Sequence, residues 1–241
     1  MRTSFISYEH EGKILEAFVA SPSDSARRPL VLLCHSWSGR DTYICEKAEM
    51  VARWGYVAFA LDLYGKGVVG KSPDENAALK QPLLRDRQLL QKRLLTALDV
   101  ASKLPNVDPN RIATFGFGFG GLCALDLARS GANLRGAASV YGHFEPSGLD
   151  KRLIKAHILL LHGMDDPIVP MSELLTFTKE MTEEGVDHQT HLFGNALHAF
   201  TNPQANALEK GMLYNPVAAG RAMLLIRNFL QEVFGEELYE E

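Results

Sequence analysis

The chain has 241 residues, of which 46% are hydrophobic and 22% are charged, and its formal net charge is -4. These values are ordinary for a globular protein with a real core, and they give no basic surface for nucleic acid. No apolar run approaches the ~20 residues of a membrane span, and the first residues lack the continuous apolar core of a signal peptide. We therefore expect a cytoplasmic protein.

The predicted elements begin with two β-like stretches, which meet at the turn His10-Glu11-Gly12. Downstream, continuous apolar runs typical of strands buried on both faces alternate with amphipathic helical patterns. The predicted strands are 4–8, 14–20, 29–34, 57–63, 112–115, 136–141, 156–162 and 190–193. The predicted helices are 41–54, 83–104, 119–129, 171–184 and 216–234, with a long loop over 64–76.

This alternation predicts an α/β fold with a mostly parallel central sheet and helices on both faces. The sequence has no internal repeat, low-complexity segment or linker, which favours a single domain over residues 1–241. In an open α/β sheet, ligands bind at the carboxyl ends of the strands. The functional residues are therefore expected in the loops that follow the strands.

The stretch GFGFGG at residues 116–121 lies between a predicted strand and a predicted helix and fits two motifs. One is the G-x-G-x-x-G loop that approaches a dinucleotide pyrophosphate. That motif expects an acidic residue at the end of the next strand, yet GAASVYGH contains none, and Glu145 lies beyond it. The other is the nucleophile elbow of an α/β-hydrolase, which would put Gly118 where the nucleophile belongs.

The elbow interpretation has partners further along the chain. HGMDDPIVP places Asp166 after one strand, and NALHAF places His198 after the next. The order nucleophile, acid, base is the order of the α/β-hydrolase fold. His198 would be the general base and Asp166 its orienting carboxylate, with Asp165 as a less favoured alternative for the acid.

The chain resembles the dienelactone hydrolase family through CHSWSGRD, GYVAFALDLYGKG, RIATFGFGFGG, LLHGMDDPIVP and FGNALHAFTNP. These segments follow one another in the family's order and cover nearly the whole chain. The resemblance implies an α/β-hydrolase fold and hydrolysis of small esters or lactones through a Cys-His-Asp triad. Carried over, the triad falls on Gly118, Asp166 and His198, and an acidic residue usual in the early loop is replaced by Ser36.

In such enzymes two backbone N–H groups form the oxyanion hole, one after the nucleophile and one from an early loop. Here these would be the amides of Phe119 and Trp37. Because Gly118 has no nucleophilic atom, two interpretations stay open: an impaired hydrolase, or a non-catalytic protein that binds a small ester, lactone or carboxylate. Either would be a monomer or a small homo-oligomer.

The resemblance makes six residues candidates for the substrate pocket: Ser36, Tyr64, Arg87, Tyr141, His143 and Phe200. For Arg87 and His143 a role on the surface is equally open. The three cysteines form no CxxC pair and are expected to be packing residues, so Cys123 is not favoured as a substitute nucleophile. Ser36 is not favoured either, because the sequence shows no base beside it. No histidine pair has metal-site spacing with a third donor, and we expect neither a metal nor a cofactor.

Overall fold

The sheet begins with the hairpin that the sequence predicts. In the computed structural model, which describes residues 1–150 and 152–236, β1 (Arg2–His10) pairs antiparallel with β2 (Lys13–Ser21). Glu11 and Gly12 make the turn with φ of 49° and 77°, a left-handed conformation that glycine adopts without strain. β2 then pairs antiparallel with β4 (Val57–Ala60), which joins the hairpin to the rest of the sheet.

Six further strands complete an eight-stranded sheet in the order β1-β2-β4-β3-β5-β6-β7-β8. From β4 to β8 every pairing is parallel. The strands are β3 (Arg28–Cys34), β4 (Val57–Ala60), β5 (Val107–Phe117), β6 (Gly136–Val140), β7 (His157–Gly163) and β8 (His188–Phe193). The predicted mostly parallel sheet is confirmed.

Helices cover both faces of this sheet, as predicted. They are α1 (Thr42–Arg53), α2 (Pro73–Arg85), α3 (Arg87–Ser102), α4 (Phe119–Arg129), α5 (Met171–Glu183) and α6 (Pro216–Phe234). Alternation along β3 divides the core: Leu30 and Leu32 join the cluster with α3, α4 and α5, whereas Val31 and Leu33 join the cluster with α1 and α6. The described helices include none that is long and apolar enough to cross a membrane.

The prediction of one helix over 83–104 after a long loop is wrong. α2 begins at Pro73, because the Ser72 side chain accepts a hydrogen bond from the Glu75 amide at 3.2 Å and caps the helix. Asp86 leaves the helical conformation, with φ −116° and ψ 81°, and its carboxylate caps the Leu89 amide at 2.8 Å. The chain thus ends one helix and starts another at a single residue.

Candidate active site

The site is built around the turn between β5 and α4. Gly118 is the N-cap of α4, with φ 55° and ψ −114°, a region that is strained for residues with a side chain. Its N–H donates to the Val140 carbonyl at 2.9 Å, which ties the turn to β6. Its carbonyl accepts from the Gly121 and Leu122 amides at 2.9 and 3.2 Å, so the helix starts at once.

Three neighbouring glycines are required because the turn packs against the protein itself. A Cβ on Gly116 would lie 2.2 Å from the Gly120 carbonyl oxygen, and one on Gly120 would lie 2.1 Å from the Cys34 carbonyl oxygen. A Cβ on Gly121 would lie 2.5 Å from the Ser139 hydroxyl oxygen. These distances are too short for any side chain. The atoms that the Cβ would meet belong to the protein itself, so these glycines do not leave space for a bound phosphate. The glycines therefore serve helix–strand packing, as in a nucleophile elbow, and give no support to a phosphate loop.

Gly118 differs from those three glycines because a Cβ at this position would clash with none of the neighbouring residues. A Cβ built there would lie 3.6 Å from His198 Nε2 and 3.8 Å from two ring carbons of Tyr141, which are ordinary van der Waals distances. Position 118 therefore has room for a side chain directly beside the histidine ring.

His198 and Asp166, predicted as base and acid, are in contact. Nδ1 of His198 lies 2.8 Å from Oδ2 of Asp166, and both side chains are buried. Since the carboxylate accepts, Nδ1 carries the hydrogen and Nε2, which faces Gly118, has a free lone pair. The neighbouring Asp165 is exposed, in agreement with the choice of Asp166.

The Asp166 carboxylate is held in its ionised form. Burial alone would raise its pKa, but the hydrogen bond and charge of His198, together with two backbone amides, lower it below the usual 3.8. Those amides belong to Ile168 and Val169 and donate to Oδ1 at 2.9 and 3.0 Å. One carboxyl oxygen thus closes the loop after β7, while the other orients the His198 ring.

The loop that carries His198 is fixed by its own backbone. The His198 amide donates to the Gly211 carbonyl at 3.0 Å, and the Leu213 amide donates to the His198 carbonyl at 3.3 Å. Ala199 has φ 58°, a costly conformation for alanine that persists only where surrounding contacts impose it. The short strands β9 (Asn206–Ala207) and β10 (Met212–Leu213), which the sequence did not reveal, supply part of this support.

The two amides predicted for the oxyanion hole belong to residues that line the same cavity as Gly118 and His198. Within residues 1–150 and 152–236, neither the Trp37 nor the Phe119 amide has a hydrogen-bond acceptor. The Trp37 carbonyl accepts from the Tyr64 hydroxyl at 3.0 Å. His35 anchors the same loop, because its Nδ1 donates to the Ser36 carbonyl at 2.7 Å and its Nε2 accepts from the Leu63 amide at 3.2 Å.

The cavity has a volume of about 220 Å³ and is walled mainly by aromatic and aliphatic side chains. Tyr141, which has an unusual positive φ of 39°, packs its ring edge-on against the His198 ring at 5.1 Å. Its hydroxyl and that of Tyr43 both bond the Thr201 hydroxyl, at 2.8 and 2.7 Å. This network holds the aromatic wall against the base.

Besides His198, the basic residues His143, Lys80 and Lys210 line the cavity. His143 lies with its ring 6.1 Å from the His198 ring, and burial, aided by the charges of His198 and Lys80, lowers its pKa to about 4. Lys80 lies 5.8 Å over the Trp37 ring, and burial lowers its pKa as well. His143 is therefore neutral near pH 7, while Lys80 brings positive charge to the cavity.

Of the candidates for the substrate pocket, Ser36, Tyr141 and His143 line the cavity. The Ser36 hydroxyl bonds the Ser38 hydroxyl at 3.0 Å rather than a base, so nothing activates it as a nucleophile. The assignment of Tyr64 and Phe200 to the cavity wall is wrong, because both side chains are buried behind it. Phe200 packs on the far side of Tyr141, with the two ring centroids 5.3 Å apart.

The pocket assignment of Arg87 is also wrong. Its guanidinium is buried and donates to the Asp126 carboxylate, with Nε 2.9 Å from Oδ2. An arginine beside a buried carboxylate of opposite charge is a structural ion pair. Sequence alone could not show that the Arg87 guanidinium would form an ion pair with Asp126 on the next helix.

The cavity also has walls that sequence reasoning missed. These residues come from α1, from α2, from the loop after β7 and from the segment between β8 and α6, which includes β10: Tyr43, Lys80, Ile168, Ala199, Asn202, Lys210 and Met212. Of these residues, only Ala199 could have been found from the sequence, because it adjoins His198 in the motif NALHAF.

The cysteines are not part of the cavity. Cys34 and Cys123 are fully buried, and burial raises the pKa of the Cys34 thiol to about 12 and that of Cys123 well above its ordinary value. A neutral, buried thiol is a poor nucleophile. Among the described residues, no group of three or more His, Cys, Asp or Glu side chains could hold a metal ion.

Comparisons with known proteins identify relatives of the chain. The model of the dienelactone hydrolase family matches residues 15–234. A protein of Aquifex aeolicus (strain VF5) named "Putative carboxymethylenebutenolidase" is 26% identical over 231 residues, which cover 94% of this chain and 96% of that protein.

Solved structures match over nearly the full length. A dienelactone hydrolase-like promiscuous phosphotriesterase from metagenomic libraries has a TM-score of 0.90 and 29% identity, covering 97% of this chain and 99% of its own. A structure named "m3DLH" has a TM-score of 0.91 and 30% identity, covering 97% and 98% of the two chains. The fold is thus the predicted α/β-hydrolase fold, and the chain belongs to the dienelactone hydrolase family.

Proposed function

We propose that the protein is a hydrolase of small esters or lactones in which Gly118 occupies the position of the family's nucleophile. The observation that carries this proposal is the placement of His198 Nε2, 3.6 Å from where a Cβ on Gly118 would lie. Nδ1 of the same ring is held by Asp166 at 2.8 Å. An oriented base beside the N-terminus of a helix that follows a strand is the arrangement that acyl transfer requires.

The backbone at this turn supports the stabilisation of a negatively charged oxygen. A carbonyl carbon placed beside Gly118 would direct its oxygen toward the amides of Phe119 and Trp37. Preorganised N–H groups at a developing oxyanion are usually the largest single contribution to acyl-transfer catalysis. These groups belong to the backbone, so they do not depend on the side chain at position 118.

Without a nucleophilic side chain, no acyl-enzyme forms, and hydrolysis requires direct attack by a water molecule. In that reaction His198 Nε2 takes a proton from water as the water oxygen bonds to the carbonyl carbon. The protonated ring then returns the proton to the leaving oxygen. A triad that lacks its nucleophile retains a rate ~10³–10⁴-fold above the uncatalysed reaction, so we expect slow turnover.

The cavity restricts the substrate by size and charge. Its volume of about 220 Å³ suits a compact ester or lactone. Lys80 and Lys210 line it, whereas its lining includes no Asp or Glu among the described residues, which favours a substrate that carries a carboxylate. A butenolide is an unsaturated lactone, and the name of the Aquifex relative refers to such a compound with a carboxymethylene group.

The test measures hydrolysis of p-nitrophenyl acetate and of small lactones by the wild-type protein and by His198→Ala, against a buffer blank. We expect the wild type to exceed the blank and the variant to lose that excess. Equal rates for the two proteins on every ester and lactone would refute the hydrolase proposal.

The second candidate is a binding protein without turnover, and the absence of any nucleophilic atom at Gly118 favours it. Thermal unfolding in the presence of small carboxylates distinguishes the two. A ligand-dependent rise in melting temperature, combined with a rate equal to the blank, would select binding alone.

A further inference from the structure

The space beside Gly118 has the shape and chemistry of a binding site for a small molecule. The three heavy atoms nearest to a Cβ built there are His198 Nε2 at 3.6 Å and two Tyr141 ring carbons at 3.8 Å. One nitrogen lone pair and an aromatic edge therefore surround a position large enough for a methyl group. The space opens into the cavity that would hold the ester.

We propose that this space is the site of a second substrate, a small alkyl thiol of the size of methanethiol, and that the protein transfers an acyl group from an ester to that thiol. The inference rests on the proposed function, because the ester must bind in the same cavity. It adds an acceptor other than water and a product other than a free acid.

The surroundings offer a contact to each of the two groups of a small thiol. A methyl group in this space would contact the Tyr141 ring, and sulfur makes favourable contacts with aromatic edges. The S–H group would point to His198 Nε2, which has a free lone pair because Nδ1 faces Asp166.

The helix contributes to activation of the thiol. Gly118 caps α4, an eleven-residue helix, and the partial positive charge at a helix N-terminus lowers the pKa of a nearby thiol. His198, once protonated, stabilises the thiolate further. The bound thiol would thus gain the two influences that activate a nucleophilic cysteine.

The reaction balances without any other reagent. His198 Nε2 takes the S–H proton while sulfur bonds to the ester carbonyl carbon, and the carbonyl electron pair moves to oxygen beside the Phe119 and Trp37 amides. The electron pair then re-forms the carbonyl and expels the alkoxide, which takes the proton from His198. The products are a thioester and an alcohol.

The experiment mixes the wild-type protein with p-nitrophenyl acetate and methanethiol and measures p-nitrophenol by absorbance and S-methyl thioacetate by mass spectrometry. General-base assistance is typically worth about 10²-fold or more. We therefore expect thioester formation about 100-fold above the reaction of the thiol alone, with saturation as the thiol concentration rises.

Two controls fill or disable the site. Gly118→Ala places a methyl group in the space at ordinary contact distances and should abolish the thiol dependence. His198→Gln keeps a polar side chain but removes the base and should do the same. Circular dichroism and melting curves verify that both variants fold. A branched thiol, 2-methylpropane-2-thiol, requires no variant and should show no excess over its own uncatalysed rate.

The outcomes separate the two proposals. Thioester production by the wild type that both controls abolish supports the inference. Acetate without thioester, or thioester formation that Gly118→Ala leaves unchanged, overturns it while the hydrolase proposal survives. If neither the wild type nor Gly118→Cys reacts with any ester, the proposed function fails and the inference fails with it.

Discussion

Replacing Gly118 with cysteine should create a covalent hydrolase site. The new side chain would enter space where its Cβ has no neighbour closer than 3.6 Å, so the substitution requires no repacking. The thiol would lie beside His198 Nε2 and at the N-terminus of α4, both of which lower a thiol pKa. Asp166 already contacts His198, and the two amides proposed for the oxyanion hole belong to residues that line the same cavity.

The expected gain can be bounded. In a serine protease, removal of the nucleophile alone costs ~2 × 10⁶ in kcat, which sets an upper limit for its restoration. The family resemblance puts Ser36 where an acidic residue is usual, so we expect a smaller gain, of at least ~10²-fold, or ~2.7 kcal/mol of transition-state stabilisation. The cost is conformational. At φ 55° a residue with a Cβ is strained by roughly 1–3 kcal/mol, so the variant should melt at a lower temperature.

The assay follows p-nitrophenyl acetate hydrolysis by G118C and wild type at equal concentration, with melting curves for both. A burst of p-nitrophenol equal to the enzyme concentration would identify an acyl-enzyme. Iodoacetamide should label the new thiol rapidly, while the buried Cys34 and Cys123 resist labelling in the folded protein. A folded variant that reacts at the wild-type rate and shows no burst would refute the proposed role of position 118.

Three further predictions concern the site and its support. In the G118C background, Asp166→Asn should lower kcat by ~10⁴-fold, because the His198 tautomer that then faces the thiol cannot accept its proton. Steady-state rates test this prediction, and an unchanged kcat would refute the orienting role of Asp166. The depressed pKa of Asp166 stabilises the fold above its unfolded value of 3.8, and this contribution is lost as pH falls through the lower folded pKa. The melting-temperature difference between wild type and Asp166→Asn should therefore stay constant from about pH 5 to 8 and shrink below about pH 4, whereas a pH-independent difference would contradict it. Gly120→Ala should destabilise by about 3 kcal/mol or more in urea unfolding, because its Cβ would lie 2.1 Å from a backbone oxygen. Gly220→Ala is the matched control: Gly220 is exposed on α6 and its Cβ would have nothing within 4 Å, so this substitution should stabilise by about 0.5–1 kcal/mol.

The sheet and the triad positions could be predicted because their signals are local. Continuous apolar runs marked the buried strands, and the segments GFGFGG, HGMDDPIVP and NALHAF each follow a strand. In a parallel sheet those strand ends meet at one edge, so the contact between Asp166 and His198 followed from order along the chain. α4 and α6 agree with their predicted bounds.

Ser36, Tyr141 and His143 were predicted for the cavity wall, but the rest of that wall could not be predicted, because its signals are not local. Lys80, Lys210 and Met212 reach the site from α2 and from the chain after His198, where no periodic pattern predicts an element. Arg87 was misplaced because its partner, Asp126, is 39 residues away in the sequence. Which charged side chains face a cavity depends on tertiary pairing, and a single sequence does not encode that pairing in any local pattern.

The four glycines of the turn have different roles, and position 118 is the one at which a side chain can be exchanged. Gly116, Gly120 and Gly121 fix the shape of the backbone, whereas the residue between them only decides which atom is presented to the substrate. At φ 55° and ψ −114° any side chain is strained, but its Cβ would meet no neighbouring backbone atom, unlike a Cβ at the other three glycines. The protein is therefore a ready scaffold for comparing nucleophiles, bases and bound cosubstrates at one fixed point.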